Sequence, residues 1–442
     1  MKTRKKEKGI TLIALVISII VLLILAGVTI AALSGDNGIL TRAKEAKEKT
    51  EQAQKDEEQT LSNMENILES YRFENINTND TNPAGEMPSE ATILENDANK
   101  GVVIKDQNEN EWVWVEVPKT TVFADLTIDT AQELTEQNYN DIRDKLIEYV
   151  GVYRNGSATQ NRSDWKDEWY AMDRSTLVTA STENLTEQQK ALKNGCGLTY
   201  DEYISTYKKM LKSVYTYGGF WIGRYEAGIE GTTTETTNAR TSSSGRISIG
   251  TSPKAISKKD AIPYNYVYCS EAQALAQEMT PNNNYTSSLM FGIQWDLTCK
   301  FLETRGGLKT ADINSDSSSW GNYNNARIEN IASGKYAIYR NASLDKWINI
   351  LDGYTKQNSE NDYRTLLSTG ITKYTNKMNI YDFAGNEWEW TLEKNLESNL
   401  TNTSRGGDYF SLGNMYSSSY RGAYNITYNS DGVSFRTTSY KK

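Results

Sequence analysis

The most regular alternation in the chain is Glu387-Trp388-Glu389-Trp390-Thr391, with large indoles at even positions and carboxylates at odd ones. A period of two predicts a strand, with the indole face buried and the carboxylate face wet. The Gly385-Asn386 step before it suits a turn or a ligand-cradling loop. Arg405 before Gly406-Gly407 suits a close backbone approach. Upstream, residues 101–106 and 111–117 flank the polar turn 107–110 and read as a hairpin. A further strand is expected over 218–228. Helical apolar spacing at 131–149 and 199–214, with Ser/Asn-rich stretches between, reads as a helical insert over about 126–212. Residues 270–279 predict a short amphipathic helix, and another is expected to start at Trp295. The Thr/Ser-rich stretch 231–252 reads as a polar loop.

The first hundred residues have another texture. Residues 1–9 are basic, and 10–33 form an almost wholly apolar run without charge. As a helix this run would span about 36 Å, enough for a bilayer. The basic flank places the N-terminal side in the cytoplasm and the rest outside. Ser34–Gly38 breaks the run. Residues 39–72 are helix formers, with Leu61, Met64, Ile67, Leu68 and Tyr71 as one apolar stripe, the pattern of a stalk. Residues 73–100 read as a linker. A secretory signal would have a shorter apolar region and a small-residue cleavage site after it. Here Lys8-Gly9-Ile10-Thr11-Leu12-Ile13 resembles the prepilin cleavage motif of type IV pilins. That resemblance implies prepilin peptidase and other pilin-like subunits as partners, with a cut between Gly9 and Ile10. Pilins carry a glutamate at the fifth mature position; here it is Ala14, which fits a subunit at a filament tip or one left anchored in the membrane.

Composition narrows the chemistry. The formal charge is −9 over 442 residues, so nucleic acid is not expected as a partner. There is no histidine, which removes His-based triads and His metal sites, and no transition metal is expected. Three scattered cysteines, Cys196, Cys269 and Cys299, are expected to be reduced and largely buried. Tyrosine is abundant (28 against 8 phenylalanines), which points to amphipathic contact surface.

Four blocks in order carry a resemblance: Gly218-Gly-Phe-Trp-Ile-Gly-Arg-Tyr-Glu226, Leu289-Met-Phe-Gly-Ile-Gln-Trp-Asp296, Asp382-Phe-Ala-Gly-Asn-Glu-Trp-Glu-Trp-Thr391 with Ser404-Arg-Gly-Gly-Asp408, and Val433-Ser-Phe-Arg436. Together, over residues 101–437, they resemble the formylglycine-generating-enzyme/sulfatase-modifying-factor family. The resemblance implies an α+β domain with a C-type lectin-like fold, here with the helical insert and behind a long pilin-like helix. It also implies calcium, with side-chain oxygens from Asp382 and Glu389 and carbonyls from Gly385 and Glu387. The alternative for these residues is structural: Asp382 capping a turn and Glu389 paired with an arginine such as Arg405. The family's catalytic cysteines are missing. Its Y-R-C-A-like stretch reads Tyr420-Arg421-Gly422-Ala423 here, and no cysteine follows Cys299. Catalysis of the family's kind is therefore not expected.

From Asp408 to Asp431 the chain is dominated by Tyr, Ser, Asn and Gly, the composition of binding surfaces that set rigid rings among small polar groups. Candidate ligand contacts are Asp408, Tyr409, Ser411, Asn414, Tyr416, Ser418, Tyr420, Tyr424, Asn425, Tyr428 and Asn429. Some proteins of this fold branch are diversified by retroelements in such a stretch, ending near a G-F-R-like motif; Ser434 replaces that glycine here. Trp112, Trp114, Trp221, Trp295, Trp388 and Trp390 are expected in the core, and Arg405 and Arg436 in structural ion pairs. The favoured reading is a membrane-anchored or filament-tip display protein that binds a surface protein or glycan. An exported enzyme of the same fold with another site, and a purely structural minor pilin, are the alternatives.

Overall fold

The computed structural model describes residues 15–25, 44, 46–54, 88, 90–155, 165–167, 195–231, 253–357, 364–395, 402–426 and 428–442. The chain divides into two compact units, Met1–Asn77 and Thr78–Lys442. In the first, residues 15–25 are helical and expose every side chain. Residues 46–54 are also helical. No helix among the described residues is long and apolar enough to cross a membrane. Gly9, Ile10, Ala14 and the stripe from Leu61 to Tyr71 lie outside the described residues.

The second unit mixes helices and strands. Its main strands, in chain order, are β1 (Thr92–Glu95), β2 (Val103–Lys105), β3 (Glu111–Glu116), β4 (Gly219–Gly223), β5 (Tyr285–Leu289), β6 (Lys335–Arg340), β7 (Arg364–Leu367), β8 (Trp388–Asn395), β9 (Asn402–Arg405), β10 (Arg421–Tyr424), β11 (Val433–Phe435) and β12 (Thr437–Lys441). Its main helices are α1 (Glu136–Val150), α2 (Val152–Asn155), α3 (Tyr200–Tyr217), α4 (Cys269–Glu278) and α5 (Gly292–Thr304).

Six strands form one sheet in the order β1-β2-β3-β4-β12-β5. The expected hairpin is β2–β3, in antiparallel register. Its turn is fixed by Asp106, whose carboxylate accepts the Asn108 and Asn110 amides at 2.9 and 3.0 Å and the Trp112 indole N–H at 2.8 Å. The stretch expected as linker ends in a strand: Thr92–Glu95 pairs with β2 at the sheet edge. It lacks an alternating pattern because Ile93 and Leu94 both stay exposed there.

The insert holds α1 and α3, each opened by a capping box, Thr135 with Asn138 and Thr199 with Glu202. Their apolar stripes join the main core. The six tryptophans expected inside are buried, and so are all three cysteines, which are free.

Helix α5 starts at Gly292, a turn earlier than Trp295. The reason is remote in sequence. The Asp167 carboxylate accepts the Gly292 and Ile293 amides, both at 2.6 Å, satisfying two open donors of the first turn.

The second sheet runs β10-β9-β8-β11, with β8 and β11 parallel and the other pairs antiparallel. Residues 165–166 add to the far end of β8. All eight residues of β8 are buried, so the expectation of one wet face is wrong. The carboxylate face is covered by arginines rather than by water.

Candidate functional site

Cross-strand register sorts the second sheet into two faces. Glu389 stands opposite Arg405, and Arg405 opposite Arg421, so these three share one face. Trp390 stands opposite Ser404, and Ser404 opposite Gly422, so these share the other.

On the first face six ionisable side chains interlock. Arg405 donates to Glu393 at 2.9 Å and to Asp296 at 2.7 Å. Arg421 donates to the same two carboxylates, each at 2.9 Å at the closest. Arg154, from α2, reaches Glu393 at 2.7 Å, Asp296 at 2.9 Å and Asp167 at 3.0 Å. Three cations thus meet three anions, all within the interior. Burial alone would raise the Glu393 carboxyl, yet Arg421, Arg154 and Arg405 together hold it well below the usual range. Asp167, on the rim of this network, is pushed up to about 6 by burial, against the pull of Arg154.

Four residues back along β8, at Glu389, the balance changes. Glu389 is held by Arg436 through contacts of 2.6 to 3.2 Å. Burial still lifts it to about 7. Glu226 and Asp382 lie beside the same arginine, and both are raised, by burial first. Asn386, in the turn before β8, ties Glu226 to β7: its amide N–H donates to Glu226, and its Oδ1 accepts the Leu367 amide at 3.1 Å. Glu387 lies among Asn265, Ser434 and Asp431, with no hydrogen bond short or straight enough to hold either oxygen. Burial, then the Asp431 charge, raise it far above the usual carboxylate range.

The opposite face carries rings. Trp388 packs edge-on against Tyr416 and Tyr420, at centroid distances of 5.8 and 6.1 Å. Trp390 does the same with Tyr424 and Tyr428, at 5.7 and 6.3 Å. The tyrosines also pair with one another, Tyr416 with Tyr420 edge-on at 5.1 Å and Tyr424 with Tyr428 stacked at 4.1 Å. The two indoles are buried and the four phenols are half-buried. The result is a strip of four partly open rings on a fixed aromatic floor. Gly407 starts the loop that brings Tyr416 there. Its φ is +71°, and a Cβ at that position would lie 2.4 Å from the Tyr416 carbonyl oxygen.

The other proposed contacts divide. Asn414 and Asn425 are exposed, and Ser411 and Asn429 are half-buried. Asp408, Tyr409 and Ser418 are buried, so they support the loop instead of facing a ligand. Tyr409 donates to Asp431 at 2.6 Å, and Asp408 accepts the Ser411 amide at 2.8 Å. Sequence reasoning missed Arg154, Asp167, Asp296, Glu393 and Arg421. Glu393 had a signal: it continues the odd-position series of Glu387 and Glu389.

A family model described as the sulfatase-modifying factor enzyme 1-like domain matches residues 199–440, over half of the chain. The chain belongs to this family. No curated protein matches. One solved structure, Treponema denticola variable protein 1, is similar at 12% identity, over 51% of this chain and 85% of that chain, with a TM-score of 0.29. That score is too low to carry a structural inference.

For a sulfatase-modifying factor enzyme 1-like domain, two points of this site matter. The first is calcium. Asp382 already accepts the Gly370 amide at 2.6 Å and the Thr375 hydroxyl at 2.8 Å, and Glu389 is engaged by Arg436 rather than by Arg405. Glu387 is expected to contribute its carbonyl, and its carboxylate has no hydrogen bond to hold it. As arranged, the Asp382 and Glu389 side chains are already engaged by protein donors, whereas a calcium ion would need six to eight oxygens, the Gly385 and Glu387 carbonyls among them. Among the described residues no group of three or more acidic or cysteine side chains is placed to hold a metal. The second point is Gly422, in the Tyr-Arg-Gly-Ala stretch. A Cβ there would lie 2.9 Å from both Ser404 Oγ and the Tyr424 ring, so a side chain at 422 displaces the strip.

Proposed function

We propose that this protein is a ligand-binding display protein whose recognition surface is the Tyr416/Tyr420/Tyr424/Tyr428 strip, with Asn414, Asn425, Ser411 and Asn429 around it. The observation that carries this reading is the split of one sheet into a charge-locked face and an open aromatic face. Rings held on a fixed floor lose little freedom on binding, and amides and hydroxyls beside them supply adaptable hydrogen bonds. The domain is of the C-type lectin-like kind, and the ligand is a protein or glycan on a cell, phage or host surface.

The N-terminal segment is the anchor. Residues 1–9 are a prepilin leader cut by prepilin peptidase after Gly9, and the helix from Ile10 holds the protein in the membrane or at a filament tip with other pilin-like subunits. The second unit is then outside the cell. Codons of the 408–431 stretch are diversified by a retroelement; a genome with no near-copy of that stretch mismatched at adenines would remove this part.

An exported enzyme of the same family is the second reading, and the raised carboxyls of Glu226 and Glu387 are what favour it. Against it, both are fully buried, and the family's thiol position is Gly422 inside the aromatic strip.

The test is a panel of immobilised surface proteins and glycans probed with the full-length chain and with its Tyr420→Ala/Tyr424→Ala variant. Binding that is lost in the variant supports the reading. Turnover of a panel member, abolished by Glu226→Gln, would favour the enzyme. Intact mass of membrane-extracted protein tests the anchor: a start at methylated Ile10 is expected, and a start at Met1 would remove the pilin pathway.

A further inference from the structure

The charges around the strip say what it is built to receive. From residue 406 to 435 the sequence holds two acids, Asp408 and Asp431, and one cation, Arg421. Arg421 is 1% exposed and committed to Asp296 and Glu393 on the opposite face. Asp431 is half-buried, and one of its oxygens accepts the Tyr409 hydroxyl. The Tyr428 hydroxyl reaches Ser430 Oγ at 3.4 Å, one residue before Asp431, so this carboxylate lies beside the end of the strip, and after burial the Asp408 and Asp431 charges also raise that hydroxyl.

Two cations on neighbouring described strands are engaged within the protein. Lys394 of β8 is 2% exposed and donates to Asn402 Oδ1 at 3.2 Å. Arg364 of β7 lies over the Phe410 ring with its guanidinium carbon 3.1 Å from the ring centroid. That contact shows the protein's own arginine using a ring of the same loop as a seat.

We propose that the tyrosine strip seats lysine or arginine side chains from a basic segment of a protein partner. This rests on the reading of the strip as the recognition face. Half-open phenol rings present a negative quadrupole to a cation, and nearby carboxylates add to it. The chain's formal charge of −9 draws such a partner in. The strip is a row of four partly exposed rings, with Tyr424 and Tyr428 stacked on each other, and a row suits an extended segment. The exposed amides of Asn414 and Asn425 can hydrogen-bond the backbone of that segment, and Leu412 and Met415, at 37% and 56% exposed, offer apolar contact beside it.

The experiment is isothermal titration of the full-length chain with hexa-arginine, hexa-glutamate, a neutral oligosaccharide and phosphatidylcholine vesicles. Hexa-arginine is expected to bind and hexa-glutamate not. The affinity should fall about tenfold or more in Tyr420→Ala/Tyr424→Ala, survive in Tyr420→Phe/Tyr424→Phe, and fall severalfold in Asp431→Asn. The Phe pair separates ring faces from mere packing or hydroxyl loss. Hexa-arginine binding that is unchanged in the Ala pair would overturn the proposal, because it would then reflect net charge alone. Tyrosine-dependent binding of the oligosaccharide or of vesicles, without the peptide, would overturn the basic partner and leave the recognition face standing. If neither these probes nor any panel ligand depends on the tyrosines, the recognition face itself falls.

Discussion

Glu389 and Trp390 are neighbours on one strand, yet they belong to different kinds of surface. The odd-numbered face of β8 spends its residues on arginines and carboxylates that are buried. The even-numbered face puts Trp388 and Trp390 beneath four rings that do. Buried ion networks contribute little net stability but penalise every broken or shifted arrangement, so they hold one geometry. The aromatic face gains from this: rings spaced by 4 to 6 Å keep their places because the strands beneath them cannot slip. Within the odd face there is a second contrast. Around Glu393 three arginines match three acids, whereas around Glu389 a single Arg436 serves Glu389, Asp382 and Glu226.

The largest effect should come from breaking the balanced network. Arg421→Ala leaves Asp296 and Glu393 short of a cation inside the protein and is expected to cost about 3–5 kcal/mol, read by denaturant unfolding. A cost under about 1 kcal/mol would mean that the network does not lock the sheet.

The raised and the lowered buried carboxyls should also respond oppositely to pH. Glu389, Asp408 and Asp167, with ordinary values of 4.5, 3.8 and 3.8, are lifted to about 7, 6 and 6. The folded state holds their protons more tightly, so their contribution is complete below pH ~4 and is lost as pH rises through 6 to 7. Glu393 is held low, so its contribution is present above 4.5 and lost as pH falls. A melting temperature that peaks between pH ~4.5 and 6 and declines toward 8 is expected. A rise from 6 to 8 would contradict this.

On the aromatic face, Tyr420→Ala/Tyr424→Ala should cost only about 1–2 kcal/mol of stability, since both rings are half-open. Smaller still is Glu387→Gln, expected to gain about 1 kcal/mol at pH 8: an amide N–H can donate to Asn265 Oδ1, which lacks a donor, and no charge is buried. Loss of stability there would mean that Glu387 has a partner that an amide cannot serve. Calcium should leave the melting temperature of the wild type within error of the EGTA control, because Arg436 already occupies Glu389; a clear rise would reopen the site.

Much of this was legible in residues. The hairpin at Asp106, the two insert helices, the strand at Trp388 and the tyrosine cluster follow from local pattern, although the first helix begins at Glu136 behind its Thr135 cap rather than at 131. So did the ion-paired roles of Arg405 and Arg436. What local pattern hid was remote compensation. Glu389 and Glu393 looked wet because carboxylates usually are, and their arginines come from β9, β10 and α2, while Arg436 immediately follows β11. The start of α5 depended on Asp167, 125 residues away. Asp408, Tyr409 and Ser418 share the composition of the binding loop, but Gly407 and the Asp431 contact turn the first two inward.

The central claim is that the charged face supports and the aromatic face recognises. Its most direct test sets Tyr420→Ala/Tyr424→Ala beside Arg421→Met on the same ligand panel, with unfolding measured on both full-length variants. The account predicts that the tyrosine variant loses ligand at least tenfold with a small stability change. The arginine variant should lose stability, yet still bind at temperatures where it is folded. Ligand held equally by the tyrosine variant, or lost only through the arginine, would contradict it.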